Sequence, residues 1–351
     1  MAIRVAINGF GRIGRAFARR STGRGIDIVA VNDLGSLANL AYLLKYDTVY
    51  GRAPFTVAHQ QPTANSQQPT FIIDGREVKF FSEKDPANLP WRDLNIDVVV
   101  ESTGFFTDYE KASAHITAGA KRVVITAPAK EHPTSNSQQT TEILGATVLM
   151  GVNEEKLASC RMSSNASCTT NAASPVIAIL DKAIGIEKAV LSTAHAYTAS
   201  QALVDGPVKK DVREGRAAAV NIVPTSTGAA LAVAEAYPAL AGKFDGIALR
   251  VPVAAGSIAD ITFISKRPTT REEVNDALRR AEADPRWEGI FKTTDEELVS
   301  SDIVGEPCAS IADLSMTRVV GGNLVKVLAW YDNEIGYAES LVRHVLAAAQ
   351  V

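Results

Sequence analysis

The sequence predicts an α/β chain: a doubly wound parallel sheet first, then an α+β domain with a mostly antiparallel sheet. Three observations carry this. Runs rich in β-branched residues alternate with helical patterns through the first part of the chain. A glycine-rich turn joins the first run to the first helix. From about residue 150 the texture changes, and later strands alternate apolar with polar residues. Strands covered on both faces read as continuous apolar runs, whereas half-exposed strands alternate.

Taken in order, Ile3 to Asn8 ("IRVAIN") is a strand apolar almost throughout, followed by glycines and a helical pattern from Arg12 to Arg20. Ile26 to Asp33 ("IDIVAVND") is the second strand, and "LANLAYLLKYD" reads as a helix. "FTVAH" and "TFIIDG" are strands flanking a polar turn, Pro62 to Pro69. Ile96 to Gly104 and Lys121 to Pro128 are two more buried strands. Glu131 to Gly145 is rich in Ser, Thr and Gln and reads as a surface loop. "ATVLMGVN" is a further strand, and a helix follows Cys168. "KAVLSTAHAYT" is a strand leading to a histidine, and Gln201 to Gly228 is long, polar and without clear period. "GIALRVPV", "IADITFIS" and "NLVKVLAWYD" read as strands of a half-exposed antiparallel sheet, and Gly336 to Ala349 as the last helix. The expected division is a nucleotide-binding domain over residues 1–167, rejoined by the C-terminal helix (about 335–351), and a catalytic domain over 168–334.

Composition narrows the function. The chain has 351 residues, 46% apolar and 21% charged, with net charge −3, enough for two cored domains. Without a broad basic field, no nucleic-acid or anionic membrane partner is expected. Three cysteines, Cys160, Cys168 and Cys308, are too few for a disulfide framework, and no C-x-x-C pattern suggests a metal. A reducing cytoplasm is the expected setting. The N-terminus lacks a signal-peptide pattern, and no apolar run is long enough to cross a membrane.

"NGFGRIG" places Gly9, Gly11 and Gly14 directly after a strand and at the opening of a helix. Glycine permits the tight turn, lets backbone N–H groups approach a pyrophosphate at the helix N-terminus, and allows the helix to pack close to the strand. Asp33 ends the second strand, 19 residues after Gly14, where a carboxylate accepts hydrogen bonds from ribose hydroxyls. It also repels a 2′-phosphate, and Leu34, Gly35 and Ser36 supply no cation to offset it. The expected domain is therefore Rossmann-type and the expected cofactor NAD. A purely structural turn, with Asp33 as a helix cap, is the competing reading.

"SNASCTTN" sets Cys168 among small polar residues, where a packing cysteine would have apolar neighbours. At a helix N-terminus the unsatisfied N–H groups and dipole favour a thiolate, so a lowered pKa is expected. The same N–H groups can hold an oxyanion formed when sulfur attacks a carbonyl. Pro175 is awkward for this helix but lies near its first turns. Of five histidines, His59, His115 and His132 fall in expected surface segments and His344 in the last helix. His195 ends a strand at the sheet mouth and is the candidate base, with an ordinary core histidine as the alternative. A Cys–His pair plus a nicotinamide points to attack on an aldehyde, hydride transfer and a thioester. Cys160 and Cys308 read as structural.

At this point the chain resembles phosphorylating glyceraldehyde-3-phosphate dehydrogenases over nearly its whole length: "INGFGRIGR", "LKYDTVYGR", "ESTGFF", "SNASCTTN", "HAYTASQ", "NIVPTSTGAA", "RVP" and "WYDNEIGY" occur in that family's order. The resemblance implies Cys168 as nucleophile and His195 as its base. It implies Thr198 and Arg250 at the site for the substrate's C3 phosphate. Ser167, Thr169, Thr227 and Arg213 or Arg216 would form the site for inorganic phosphate. Arg12 and Ile13 would contact the pyrophosphate, Thr103, Gly104 and Thr126 would flank the cofactor, and Asn333 would bind the nicotinamide carboxamide. Gln201 to Gly228 resembles the S-loop, which in the family packs against the cofactor and neighbouring subunits of a homotetramer. The implied partners are glyceraldehyde 3-phosphate and inorganic phosphate.

The chain departs from the family's pattern in places. Ala172 stands where a second cysteine is common, Ile335 replaces a tryptophan, and "VPVAAGS" replaces the commoner "VPTPNVS" near a subunit interface. The loops at 62–69 and 131–145 look longer than usual and have no assigned role. Two other functions compete. One is erythrose-4-phosphate dehydrogenase, whose thioester is hydrolysed; retention of "HAYT" and "PTSTG" favours phosphorolysis. The other is an NAD-binding redox sensor or a protein moonlighting on RNA, which needs neither a base nor a phosphate cradle.

Overall fold

The structure, a computed structural model, describes residues 2–62, 68–129, 145–209 and 211–351. Most of the expected turn at 62–69 and of the loop at 131–145, with His132, lies outside them. The described chain divides into two compact units: 1–148, 154–166 and 341–351 form the first, and 149–153 and 167–340 the second.

The first unit is a nine-stranded sheet. Its order is Ala146–Thr147, Met162–Ser164, Arg122–Ile125, Val98–Glu101, Ile3–Asn8, Ile26–Asn32, Arg76–Phe81, Thr70–Ile73 and Val57–Gln60. Neighbours are parallel as far as Arg76–Phe81, and the last two strands are antiparallel. The first strand shows why its sequence is continuously apolar. Val5 and Ile7 pack with Phe17, Leu44 and the C-terminal residues Leu341, Val342 and Val345. Ala6, on the opposite face, packs with Trp91, Ile96 and Val99. Both faces are covered, so alternation disappears. "ATVLMGVN" contributes only the two-residue strand Ala146–Thr147, less than its sequence suggests.

The second unit is a seven-stranded, mostly antiparallel sheet. Its order is Val223–Ser226, Phe244–Val251, Ile186–Ala196, Ser257–Ser265, Leu324–Tyr331, Ser310–Val320 and Phe291–Thr294. Buried Val176, Ile177 and Leu180 of the helix Cys168–Ile184 share one core with Leu191, Ile261 and Val327 from the sheet. Strand Ser257–Ser265 alternates buried and half-buried along its length, as its sequence pattern requires. "GIALRVPV" differs from expectation: Phe244–Val251 is antiparallel to Val223–Ser226 but runs parallel to Ile186–Ala196. That parallel register sets Arg250 directly beside His195.

His344, on the final helix Ile335–Ala348, is fully buried in the first unit. Its Nδ1 is 3.0 Å from Asn165 Oδ1 and its Nε2 is 2.7 Å from Ser163 Oγ. Burial pulls its pKa down to about 3. A histidine kept neutral in the fold but free to protonate when unfolded removes stability as pH falls from about 6.5. We expect His344→Gln to flatten the loss of stability between pH 6 and 4 by about 1.4 kcal/mol per pH unit. Urea denaturation across that range checks it, and an unchanged slope is the contrary result.

Candidate active site

In the first unit the strand order reverses beside Ile3–Asn8: the next strand in sequence lies on one side and Val98–Glu101 on the other. Open α/β sheets bind ligands at such a reversal, beyond the carboxyl ends of the strands. Gly9, with φ +93°, leaves the first strand there, and a Cβ on it would come within 2.6 Å of the Ser102 carbonyl carbon and Thr103 nitrogen. A Cβ on Gly14 would collide with the Gly9 carbonyl oxygen. A Cβ on Gly11 would meet nothing within 4 Å. Gly9 and Gly14 are thus glycines for internal fit, while Gly11 keeps open the approach to the helix Arg12–Ser21, for which it is the N-cap. The N–H groups of Arg12, Ile13 and Gly14 have no acceptor within that helix and suit a pyrophosphate. The Arg12 side chain is engaged elsewhere, 2.5 Å from Asp47 and 5.7 Å over the Tyr50 ring.

Asp33 accepts from Phe10 N at 2.6 Å and Gly35 N at 2.7 Å. A carboxylate has about four acceptor sites, so it keeps capacity for ribose hydroxyls. The arrangement fits an NAD and offers no cation for a 2′-phosphate among Leu34, Gly35 and Ser36.

Beneath the turn lies a polar group that the sequence reading missed. Asn32, Asn8 and Glu101 end three neighbouring strands in register. Asn32 Nδ2 donates to Asn8 Oδ1 at 2.7 Å, and Asn8 Nδ2 donates to Glu101 Oε2 at 2.5 Å. Glu101 Oε1 accepts from Thr103 N at 2.8 Å and Thr103 Oγ1 at 2.5 Å, holding the turn that continues into left-handed Gly104 (φ +75°). Thr126 N donates to Glu101 O at 3.0 Å. His115 corrects an expectation: it is fully buried rather than superficial. Trp91 Nε1–H donates to its Nδ1 at 3.0 Å. An indole N–H only donates, so Nε2 carries the histidine proton and donates to Glu101 Oε2 at 3.0 Å. The one available signal was a glutamate closing the apolar run "VVVE".

In the second unit Cys168 opens the helix Cys168–Ile184, which continues through Pro175. Ser167 is its N-cap, with Oγ accepting from Thr170 N at 3.0 Å. Ala166, just before, has φ +52°, a conformation that disfavours larger side chains and fits the small residues of "SNASC". Cys168 Sγ lies 3.3 Å from Nε2 of buried His195. His195 Nδ1 is 2.6 Å from the Ala196 carbonyl oxygen and 2.5 Å from Arg250 Nη1.

The electrostatics differ from the sequence expectation. Burial pushes the Cys168 thiol up, outweighing the downward pull of the Arg250 cation and the Thr169 N–H. A helix start contributes roughly 0.3–1 kcal/mol to an anion, less than desolvating a charge costs. Burial, and secondarily Arg250, pulls His195 down to about 3. Both directions favour the uncharged forms of half-buried Cys168 and buried His195.

Two hydroxyl chains brace this pair. Thr193 Oγ1 donates to Ile258 O at 3.0 Å, so Tyr331 OH donates to Thr193 and Thr169 Oγ1 to Tyr331, each at 2.8 Å. Ser257 Oγ accepts from Ala196 N at 3.1 Å and donates to Asn333 Oδ1 at 3.0 Å. Neither Tyr331 nor Ser257 carries a sequence signal, because both act through strand register.

The other expected anion-site residues are not hydrogen-bonded to this group among the described residues. Thr198 Oγ1 is 3.0 Å from Ser200 Oγ, and Thr227 Oγ1 accepts from Ala229 N at 3.2 Å. Arg213 and Arg216 are exposed and paired with Asp211 at 2.7 Å and Asp205 at 2.8 Å. Cys160 and Cys308 are buried, each donating to a backbone carbonyl at 3.4 Å, as structural cysteines do.

Two family descriptions match the chain: the NAD binding domain of glyceraldehyde 3-phosphate dehydrogenase over residues 3–109, and the C-terminal domain of the same enzyme over 167–333. Among similar proteins, glyceraldehyde-3-phosphate dehydrogenase of Streptomyces coelicolor is 47% identical over 346 residues, 97% of each chain. Glyceraldehyde-3-phosphate dehydrogenase 2 of Streptomyces avermitilis is 48% identical over the same span, and the Mycobacterium avium enzyme is 46% identical over 350 residues, again 97% of each.

The glycine turn separates two effects. We expect Gly11→Ala to fold with unchanged thermal stability and to bind NAD about tenfold more weakly or worse, since its Cβ occupies ligand space. Gly9→Ala should lower the unfolding temperature by several degrees, since its Cβ strikes backbone at positive φ. Calorimetry and fluorescence titration with NAD read both; equal behaviour of the two variants contradicts this division.

Proposed function

Because the chain belongs to the glyceraldehyde-3-phosphate dehydrogenase family, we propose that it oxidises and phosphorylates glyceraldehyde 3-phosphate to 1,3-bisphosphoglycerate, with NAD and inorganic phosphate. The observation that carries this reading is a helix-opening cysteine with its sulfur 3.3 Å from a strand-end imidazole. Gly9, Gly11, Arg12, Ile13, Gly14 and Asp33 would hold NAD, with Thr103, Gly104, Thr126 and Asn333 around it; bound NAD supplies the hydride acceptor. Cys168 Sγ attacks the aldehyde carbon as its proton passes to His195 Nε2. N–H groups at the helix start hold the resulting oxyanion. His195 returns that proton to the oxyanion, giving the thiohemiacetal, and takes the hydroxyl proton again as the carbon loses hydride and the thioester forms on Cys168. Inorganic phosphate, held by Ser167, Thr169, Thr227 and Arg213 or Arg216, attacks the thioester and frees the sulfur. Thr198 and Arg250 hold the substrate's own phosphate, a task suited to a planar guanidinium fork.

A homotetramer is the proposed assembly, and a cytoplasmic setting the proposed location. Exposed Leu203, Val204, Val212, Val220 and Ile222 lie in the stretch 201–228 and support association, since exposed apolar clusters mark contact surfaces. Among the described residues no helix is long and apolar enough to cross a membrane.

NADH formation from glyceraldehyde 3-phosphate is expected to depend on inorganic phosphate and to prefer NAD over NADP. Faster, phosphate-indifferent turnover of erythrose 4-phosphate is the opposing result. Cys168→Ala should abolish turnover while NAD still binds, and His195→Asn should slow acylation by roughly two to four orders of magnitude. A His195→Asn enzyme of normal rate excludes it as the base.

A further inference from the structure

Ser257 opens the strand Ser257–Ser265, which lies between Ile186–Ala196 and Leu324–Tyr331. In register it stands opposite Tyr331, and its neighbour Ile258 stands opposite Ala194. Its buried side chain therefore reaches both flanking strands where they end. On one side Oγ accepts from the N–H of Ala196, the residue after His195, at 3.1 Å. On the other it donates to Oδ1 of buried Asn333, two residues beyond Tyr331, at 3.0 Å. A serine hydroxyl has one hydrogen, and here it is spent on Asn333. The terminal torsion of an asparagine is broad, so this bond is what fixes the direction of the amide. Among the described residues Asn333 Nδ2 has no hydrogen-bond partner. The protein holds one end of the amide and leaves the other to a ligand.

We propose that Ser257 is a positioning residue that orients the Asn333 amide toward the carboxamide of a bound nicotinamide. The proposal deepens the function above and rests on Asn333 meeting that carboxamide. The pattern of the strand supports it. Buried positions alternate along Ser257–Ser265, and those that follow Ser257 on its face, Ala259, Ile261 and Phe263, are apolar core. An apolar residue would continue that face. A buried hydroxyl costs free energy unless it is bonded, and this one makes both of its bonds at strand ends beside the site. The same hydroxyl thus anchors the backbone that follows His195 and the amide that faces the cofactor. An amide aligned in advance spends nothing on ordering when the ring arrives.

The test compares binding of NAD with binding of ADP-ribose, which keeps the adenosine diphosphate and ribose but lacks the nicotinamide ring. The ratio of their dissociation constants, from calorimetric titration, reports the nicotinamide contribution. Ser257→Ala should weaken NAD about three- to tenfold relative to ADP-ribose, the value of one hydrogen bond. Ser257→Thr keeps the hydroxyl and should retain the wild-type ratio. Asn333→Ala should shift the ratio at least as far as Ser257→Ala, and the double variant no further. A general loss of packing weakens both ligands alike, so equal weakening by Ser257→Ala, or no weakening of either, overturns the proposal. Additive losses in the double variant overturn it too, as does a Ser257→Thr ratio that matches that of Ser257→Ala. If Asn333→Ala leaves the ratio unchanged, the placement of Asn333 against nicotinamide fails instead.

Discussion

The contact between Cys168 Sγ and His195 Nε2 is the constraint on which the second unit is organised. It joins a helix start to a strand end, so it exists only while the helix Cys168–Ile184 lies on the sheet through Val176, Ile177 and Leu180. The capping Ser167, left-handed Ala166 and the hydroxyl chain from Thr169 through Tyr331 to Thr193 fix the helix end from several sides. In the proposed reaction, a sulfur placed with this precision gains mainly from proximity to the imidazole. Its charge state comes second, since burial disfavours the charged form of each partner. In the proposed reaction, proton transfer between them is one of the steps.

The first unit solves a different problem, close approach of backbone to a charged ligand. Gly9 and Gly14 let the turn fold tightly against Ser102, Thr103 and itself, and Gly11 leaves its outer side open. The rung Asn32–Asn8–Glu101 fastens the ends of three strands, and Glu101 passes that rigidity to Thr103. Buried polar groups are costly unless satisfied. Here Trp91 and His115 complete the set of partners, fixing the histidine's tautomer as they do so.

The parallel strands, the glycine turn, the helix at Cys168 and the later half-exposed strands were legible because each is a local pattern of period, cap or turn. Asp33, Cys168 and His195 were legible because each ends an element where chemistry collects. What escaped depends on pairing between distant segments. The parallel run of Phe244–Val251 beside Ile186–Ala196 brings "RVP" to "HAYT", and no local pattern encodes that register. Tyr331, Ser257 and the buried role of His115 were hidden for the same reason. The upward push on the Cys168 thiol was not legible because a helix start is visible in sequence, while burial, the larger effect, is a property of the assembled unit.

The most direct test of this account is the thiolate ultraviolet absorbance of the ligand-free chain followed with pH, taken as the difference from Cys168→Ser. A neutral resting pair predicts that the Cys168 step appears above the ordinary cysteine value of about 8.5. A full thiolate signal already present near pH 6 would show a preformed ion pair and contradict it.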